Sequence, residues 1–234
     1  MPKTSYKDYI VTLSKISKAI TSDLYLEDVL KLIVTLTANV MRAKICALWL
    51  IEEKTQELKI RATQAMSQAY LKERSIKLGE GIVGLVAKEK KPMVILDVAK
   101  DPQYKEKQLA RREGLVSMLS VPMLVKKKLI GVINCYTTDV YKFTKSDIDL
   151  LSAVANQAAV AIENTELMVK SKIIQEELET RKKVEKAKGI LMREQKLTEN
   201  AAYALIRKSS MDKRVPMKEI ADAIILSDEI KSGK

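Results

Sequence analysis

The spacing of hydrophobic residues changes twice along the chain, from helical to alternating and back to helical. Apolar residues recur every three or four positions over residues 6–20, which predicts a short amphipathic helix. The same spacing from about Leu24 to Met41 predicts a second helix. The chain therefore begins with two helices whose apolar faces need a surface to cover them.

Short apolar runs replace the helical period in the middle of the chain. Four of them, separated by turn residues, predict strands at 45–53, 57–64, 116–126 and 128–138. From Thr144 the helical pattern returns and continues for about fifty residues. Helices, antiparallel strands and a long helix together predict an α+β fold, an antiparallel sheet with flanking helices.

The long helix is predicted to continue past the sheet as a coiled coil, over residues 144–190. Its apolar residues first alternate steps of four and three, as in a coiled-coil seam; they are Leu151, Ala155, Ala158, Ile162, Thr165 and Val169. The phase breaks near Lys170–Lys172, and a less regular stripe leads to Leu191. A helix on the order of 70 Å long cannot bury its apolar face on one small domain, so the sequence predicts a homodimer.

Residues 198–230 predict two further short helices. Thr198 is a residue type that caps a helix N-terminus, and Pro216 suits the first position of the second helix. Apolar positions on both helices can close against Ile190 and Leu191 of the long helix. The prediction is a three-helix unit at the end of the coiled coil.

Positive charge is concentrated near the carboxyl end. Residues 181–218 contain twelve Lys or Arg and four Asp or Glu, an excess of eight within a formal net charge of +12. Such an excess favours an anionic partner, either nucleic acid or a membrane surface. No apolar run approaches the length of a membrane-spanning helix, and the first twenty residues lack the apolar core of a signal peptide. No membrane partner is therefore expected.

The chain has no histidine and two cysteines, Cys46 and Cys135, which lie in separate strand-like runs. The lack of histidine removes the commonest metal ligand and general base, so no enzyme, metal site or cofactor is expected. Disulfides are not expected either, which fits a reduced cytoplasmic location. Each cysteine is interpreted as a small core residue, with a redox sensor as the alternative. Trp49 and Phe143 are likewise predicted to be core residues.

A glycine cluster, Gly79-x-Gly81-x-x-Gly84, satisfies the dinucleotide-binding pattern G-x-G-x-x-G. It does not follow a clear parallel strand, and no acidic residue follows on a second strand about 20 residues later. The cluster is therefore interpreted as a tight turn into a short helix rather than as a phosphate loop.

Residues 24–168, which follow the N-terminal helix in residues 1–23, resemble a GAF domain. The resemblance is carried by LGEGIVGLVAKEKKPMVILDVAKDPQY and SMLSVPMLVKKKLIGVINCYTTDVYKFTKSDIDLLSAVANQAAVAIENTEL, with Pro122 and Gly131 in the family's order. It implies a ligand pocket on one face of the sheet, dimerising helices on the other, and an unknown small-molecule effector. A His-ligated haem is excluded, and two strand cysteines do not match the loop cysteines of the catalytic variant, free methionine-sulfoxide reductase.

Residues 170–230 resemble an ANTAR domain, the RNA-binding module of bacterial transcription antiterminators. The segments AKGILM, TENAAYALIRKSSM and MKEIADAII match that family in order, spacing and residue type. The resemblance implies a dimer that recognises paired RNA stem-loops near a terminator and lets polymerase read through. Together the two resemblances predict a ligand-responsive antitermination regulator with the GAF domain as its sensor input.

Seven residues around the turns of the three-helix unit are predicted to contact RNA: Lys188, Gly189, Arg193, Lys196, Arg207, Lys208 and Arg214. A mid-helix glycine costs about 1 kcal/mol against alanine, so Gly189 needs a compensating reason. Packing of helix 198–211 over its backbone is favoured, and approach of an RNA backbone is the alternative. Tyr203 is interpreted as a core residue with its hydroxyl at the surface rather than as a platform for base stacking.

Three other functions were weighed against RNA binding. A DNA-binding transcription factor would use the basic three-helix end as a helix-turn-helix, but the connection before Pro216 lacks that motif's short glycine turn. A non-catalytic dimeric signalling module would bind no nucleic acid. An enzyme would need chemistry that the residue types do not supply.

Overall fold

The computed structural model of the chain describes residues 6–20, 25–65 and 74–232. The chain divides into two compact units, Met1–Thr165 and Glu166–Lys234, which are called here the sensor unit and the head. The predicted start of the second helix at Leu24 lies outside the described residues, as do residues 1–5 and 21–23 of the predicted N-terminal segment.

The sensor unit is built on a six-stranded antiparallel sheet with the order β3-β2-β1-β6-β5-β4. Its strands are β1 (Ile45–Glu52), β2 (Glu57–Thr63), β3 (Ser75–Lys77), β4 (Met93–Ile95), β5 (Met118–Val125) and β6 (Lys128–Tyr136). Its helices are α1 (Tyr6–Ile20), α2 (Leu26–Met41), α3 (Gly81–Glu89), α4 (Lys107–Glu113) and the first part of α5 (Lys145–Gln195). This is the predicted α+β arrangement.

The two faces of the sheet are covered by different helices, because alternate side chains of a strand point to opposite faces. Residues of α1, α2 and α5 pack on one face around Leu48, Ile133 and Leu151. Residues of α3, α4 and their loops pack on the other face, around Trp49 and Val132. Trp49 is 2% exposed and Phe143 is 5% exposed, which confirms their prediction as core residues.

Two glycines are required by close backbone approach. A Cβ on Gly84 would lie 2.3 Å from the Lys77 carbonyl oxygen, and one on Gly131 would lie 1.9 Å from the Trp49 carbonyl oxygen. Gly79 has a positive φ of 82°, and its N–H donates to the Gly84 carbonyl at 2.8 Å. The glycine cluster is thus a tight turn into α3, as predicted.

The head consists of the second part of α5, α6 (Glu199–Lys213) and α7 (Met217–Ser232). Thr198 caps α6 by accepting a hydrogen bond from the Ala201 N–H at 3.3 Å, and Pro216 directly precedes α7. The core joins α5 residues to α6 and α7 residues; its buried members are Val184, Ala187, Leu191, Ala202, Ile206 and Ala221. The three-helix unit predicted from the sequence is present.

The first part of the predicted coiled-coil seam is buried in the core of the sensor unit instead of being free to pack against a partner helix. Leu151, Ala155, Ala158 and Ile162 are at most 1% exposed and belong to the cluster on the α1 and α2 face of the sheet. The prediction failed here because steps of three and four residues place side chains on one helix face, whether that face meets a helix or a sheet. Val169, the last residue of the predicted seam, is 54% exposed.

Within the described ranges, none of the helices carries an apolar stretch of the length that a bilayer crossing requires.

Candidate nucleic-acid interface

Lys188 is an internal residue of the head. It is 6% exposed, and its Nζ lies 2.8 Å from Glu199 Oε1 and 2.9 Å from Glu185 Oε2. Hydrogen bonds to Glu199 and to Glu185 raise the pKa of Lys188 above its ordinary value. The same contact lowers the pKa of Glu199. Because Glu199 is the first residue of α6, Lys188 attaches the start of α6 to α5 and does not join the exposed cations.

Ion pairs link α5 to α7 along the head. Lys183 Nζ lies 2.7 Å from Asp222 Oδ1, and Lys186 Nζ lies 3.0 Å from Glu229 Oε1. Further pairs join Arg193 to Asp228, Lys231 to Glu194, and Lys218 to Glu179. From the pair Glu179–Lys218 to the pair Glu194–Lys231 both helices advance in the same direction, so α5 and α7 run parallel. The predicted RNA contact Arg193 is therefore neutralised locally by a carboxylate.

Four of the predicted RNA-contacting cations have no ion pair among the residues that the structure describes: Lys196, Arg207, Lys208 and Arg214. All four are exposed. Lys196 follows the end of α5 with a φ of 52°, and Arg214 ends α6 with a φ of 55°. Arg207 and Lys208 directly follow the buried Ile206, so the helical turn carries them away from the head core. Here "α6 cation set" denotes Arg207, Lys208 and Arg214.

Gly189 lies in open space. It is exposed, and an added Cβ would meet no atom of the described residues outside its own helix within 4 Å. The prediction that helix 198–211 packs over its backbone is therefore wrong. Gly189 faces away from the head core because its neighbours Lys188 and Ile190 are the buried residues at this turn. Approach of an external backbone is the remaining explanation of the two that the sequence left open.

Tyr203 is 44% exposed and does not belong to the head core, contrary to its prediction as a core residue. It lines an open groove of about 600 Å³ with Met217 and one face of α5. That face contributes Ile173, Glu176, Glu177, Thr180, Arg181, Val184 and Glu185. The sequence alone does not indicate this groove, because its lining residues come from three helices.

The two cysteines are direct cross-strand neighbours, although 89 positions separate them in the sequence. Cys46 of β1 pairs with Cys135 of β6, and both are 0% exposed. The Cys46 N–H donates to Gln64 Oε1, and its carbonyl accepts from Thr63 Oγ1, so neither group bonds to β6. Burial raises the pKa of the Cys46 thiol. In the part of the chain that the structure describes, no cluster of three or more His, Cys, Asp or Glu side chains can hold a metal ion.

The opposite face of the sheet carries a chain of buried polar groups. The Trp49 indole N–H donates to Asn134 Oδ1 at 3.3 Å, and Asn134 Nδ2 donates to Tyr136 Oη at 3.2 Å. The Tyr104 hydroxyl donates to Tyr136 Oη at 3.4 Å. These bonds satisfy polar groups that would otherwise destabilise the core. They also define the polar interior of the sensor unit.

Comparisons with known proteins match the two units separately. The model of the GAF domain matches residues 25–162, and the model of the ANTAR domain matches residues 173–225. A solved GAF domain from a phosphoenolpyruvate-protein phosphotransferase of Coxiella burnetii has a TM-score of 0.64 and 22% identity to this chain. It covers 70% of this chain, and this chain covers 98% of it. The fold of the sensor unit is thus that of a GAF domain.

Two curated relatives each match part of the chain. The transcriptional regulatory protein PdtaR of Mycobacterium tuberculosis (strain ATCC 25618 / H37Rv) is 36% identical over 77 residues, 33% of this chain and 38% of PdtaR. The phosphoenolpyruvate-dependent phosphotransferase system of Escherichia coli (strain K12) is 22% identical over 158 residues, 68% of this chain. The chain spans only 21% of that protein's length. Because the model of the GAF domain matches more than half of the chain, the chain belongs to the GAF domain family. An ANTAR domain follows the GAF domain in the sequence.

Proposed function

We propose that this protein is a dimeric, cytoplasmic, non-enzymatic regulator that promotes transcription antitermination by binding paired RNA stem-loops. The ANTAR domain is the RNA-binding element, and the GAF domain is the sensor input that responds to a small molecule. The similarity of a third of the chain to a transcriptional regulatory protein supports a regulatory role. A DNA-binding factor is the second candidate, because the same cations can bind either nucleic acid.

The observation that carries the RNA proposal is the difference between paired and unpaired cations in the head. Lys183, Lys186 and Arg193 of α5 each have a carboxylate partner on α7. The α6 cation set has no such partner among the described residues, so its charge is available to an outside anion. Arginine binds phosphate or a guanine edge through two parallel hydrogen bonds. We propose that the α6 cation set contacts RNA directly.

Gly189 lies on an exposed side of α5, and the exposed Lys196 directly follows the end of that helix. Both residues extend the proposed RNA surface beyond the α6 cation set. Without a Cβ, Gly189 lets a sugar–phosphate backbone approach the helix closely. Arg193 is on this side as well, and RNA phosphate can compete with Asp228 for its guanidinium. Lys188 acts by holding α6 on α5 rather than by touching RNA.

The exposed apolar side chains of α5 support the proposed homodimer. Leu167, Ile174 and Leu178 are 56%, 65% and 52% exposed, and they recur at steps of seven and four. Such a stripe on a single chain is costly in water. A second copy in a parallel coiled coil covers it, with Ile174 and Leu178 at core positions. In that register Glu177 of one protomer lies next to Lys182 of its partner, which is an attractive pair.

Dimer formation through this stripe is tested with Ile174→Glu/Leu178→Glu. We expect the wild-type chain to elute with the mass of a dimer in size-exclusion chromatography with light scattering, and the double variant with that of a monomer. The control is Met168→Glu, which changes a 73% exposed residue outside the proposed core positions. A wild-type monomer, or a double variant that remains a dimer, contradicts the proposed interface.

One helix connects the proposed input to the proposed output. The first part of α5 supplies Leu151 and Ile162 to the sensor core, and the second part supplies Val184 and Leu191 to the head core. Both ends of α5 are therefore fixed by packing. We propose that ligand binding changes the register or the dimer population of the segment between them, around Lys170–Lys172.

RNA binding is tested by titrating a two-hairpin RNA and a duplex DNA of equal length at several salt concentrations. We expect the RNA to bind more tightly, and Arg207→Gln/Lys208→Gln to reduce the slope of log affinity against log salt by about 1.4, since each contact contributes about 0.7. Lys183→Gln/Lys186→Gln removes the same charge from paired residues and is expected to keep the slope.

Three outcomes of that titration contradict the proposal. Equal affinity for the duplex DNA favours the DNA-binding factor. Absence of binding to either nucleic acid favours a signalling module without RNA. Equal loss in both double variants means that charge in general, rather than the α6 cation set, attracts the nucleic acid.

A further inference from the structure

A second cationic site lies in the sensor unit, far along the sequence from the proposed RNA surface. A surface groove of about 710 Å³, open to solvent and called here the cavity, is lined by four cations, Arg74, Lys105, Lys107 and Arg112, and by one carboxylate, Glu106. Its other lining residues, Pro102, Tyr104, Gln108 and Leu109, are uncharged. The lining therefore has a formal excess of positive charge, which attracts anions into a concave surface.

Two of the four cations already have acidic partners. Arg74 forms an ion pair with Glu106, and the Lys105 Nζ lies 2.6 Å from Glu80 Oε1 outside the cavity lining. Lys107 and Arg112 have no carboxylate partner within the described ranges. Lys107 is half-buried and Arg112 is exposed. The uncompensated charge of the cavity thus comes from α4, which carries both residues.

Arg74 connects the cavity to the polar interior of the sheet. Its side chain is only 13% exposed, and its guanidinium carbon lies 5.5 Å from the centre of the Trp49 ring. Trp49 donates to Asn134, and Tyr104 in the cavity wall reaches the same hydrogen-bonded chain through Tyr136. Burial raises the pKa of Tyr104 to about 12, so its hydroxyl stays protonated at neutral pH. That proton is donated to Tyr136, so the donors that the cavity wall offers to an anion are its arginine and lysine side chains and the Gln108 amide.

We propose that this cavity binds a small oxyanion, a phosphate or carboxylate compound, as the effector of the GAF domain. Lys107 and Arg112 supply the charge that first attracts the anion, and the anion then competes with Glu106 for the Arg74 guanidinium. Movement of Arg74 changes its contact with Trp49. This inference names the ligand class of the sensor input. It rests on the proposed function only in calling the anion an effector, because anion binding itself needs no RNA.

The single tryptophan of the chain provides the measurement. The full chain is titrated with inorganic phosphate and, separately, with malonate, against sodium chloride at equal ionic strength, while Trp49 fluorescence is recorded. We expect a saturable change with at least one of the two oxyanions and none with chloride. Anions that bind to the head produce no such signal, because the head contains no tryptophan. The two arms separate phosphate from carboxylate chemistry.

Neighbouring arginines of α4 give a matched pair of variants. Arg112→Gln removes a cation from the cavity, whereas Arg111→Gln removes the same charge from the adjacent residue, which does not line it. We expect at least about a tenfold loss of anion affinity for Arg112→Gln, the size of a lost charge-assisted hydrogen bond, and little change for Arg111→Gln. No saturable response to either oxyanion, or equal losses in both variants, overturns the inference.

The two proposals fail separately. Loss of RNA binding in the hairpin titration leaves the Trp49 response unaffected, and absence of the Trp49 response leaves the hairpin titration unaffected.

Discussion

The sensor unit and the head handle polar groups in opposite ways. In the sensor unit, Trp49, Asn134 and Tyr136 bury their polar atoms and satisfy one another inside the core. In the head, apart from the buried Lys188, the ion pairs join half-exposed side chains, such as Lys183–Asp222 and Lys186–Glu229. The hydrogen bonds of the sensor core are shielded from water by the packing around them. The ion pairs of the head are accessible to water and salt, which weaken them.

The apolar core of the sensor unit is also larger than that of the head. Both faces of the sensor sheet are covered by large clusters of buried residues. Among the described residues of the head, the buried core is six side chains, four of which are Ala or Val. A unit with so small a core has little stability of its own. The sensor fold is therefore held by extensive apolar packing, whereas the head has a small apolar core whose helices are also linked by ion pairs.

The largest effect is expected from removing a core side chain of the head. Ile206 is 0% exposed, so Ile206→Ala should cost about 2–5 kcal/mol and unfold the head while the sensor unit stays folded. RNA binding should be lost with it. Hydrogen exchange measured by mass spectrometry separates the two units. Leu205→Ala, at a 39% exposed neighbour, is the control, and equal loss of protection in both variants contradicts the core assignment.

Because the core of the sensor unit excludes water, we expect the thiols of its two cysteines to be unreactive. Because burial raises the pKa of Cys46, the reactive thiolate is scarce, and both sulfurs are shielded from solvent. We expect alkylation by iodoacetamide to be at least about tenfold slower in the native chain than in guanidinium chloride. Mass spectrometry of timed samples measures both rates. Native cysteines that react as fast as unfolded ones would show that this part of the core opens to water.

Substitution of Gly189 is expected to have a smaller effect, which raises the stability of the head and lowers its affinity for RNA. Gly189→Ala should stabilise the head by about 0.5–1 kcal/mol, because the added methyl meets no atom of the described chain outside its own helix. The same methyl should weaken RNA binding by blocking backbone approach. Thermal unfolding and the hairpin titration measure the two effects. Higher stability with unchanged RNA affinity removes Gly189 from the proposed RNA surface.

The smallest effect is expected from the contact between Lys188 and Glu199. The pKa of Glu199 is lower in the folded chain than in the unfolded chain. The Glu199 charge therefore stabilises the fold above the pKa of the unfolded state, and this stabilisation is lost as the pH falls through the pKa of the folded state. The pKa of Lys188 is raised in the folded chain, so the Lys188 charge stabilises the fold below the pKa of the unfolded state, and this stabilisation is lost as the pH rises through the pKa of the folded state.

We therefore expect the melting temperature of Glu199→Gln to lie below that of the wild type by a constant amount between about pH 6 and 9. The difference should shrink below about pH 4. Calorimetry across this range measures it. Asp212→Asn, at an exposed residue of α6, is the control and should give no such pH dependence. A difference that persists in acid would show that Glu199 acts through something other than its charge.

Much of the architecture was predictable because it is encoded by local spacing. The α+β class, four of the six strands, the turn of glycines into α3 and the three-helix end all follow from periods and turn residues read over short windows, whereas the three-residue strands β3 and β4 are too short to give such a pattern. The bounds were less accurate: α5 runs from Lys145 to Gln195, whereas the sequence predicted 144–190. Periodicity identified the apolar face of α5 but assigned Leu151 and Ile162 to the wrong partner surface.

The proposed RNA surface was predictable only as a set of residue types. Seven residues were predicted together, and the structure separates them into Lys188, which is buried between carboxylates, Arg193, which is paired, and the exposed remainder. The carboxylate partners of Lys188 are 3 and 11 positions away, and the partner of Arg193 is 35 positions away on a different helix. Nothing in the sequence around Arg193 indicates that Asp228 reaches it.

The sequence by itself determined the order of the two domains, the helical and extended segments, and the position of the positive charge, because these properties depend on neighbours within a few residues. Only the tertiary structure decided which cations stay unpaired, that Cys46 faces Cys135, and that Gly189 meets open space. Each of those facts depends on side chains brought together from distant segments, and burial and ion pairing exist only after the helices and strands have packed.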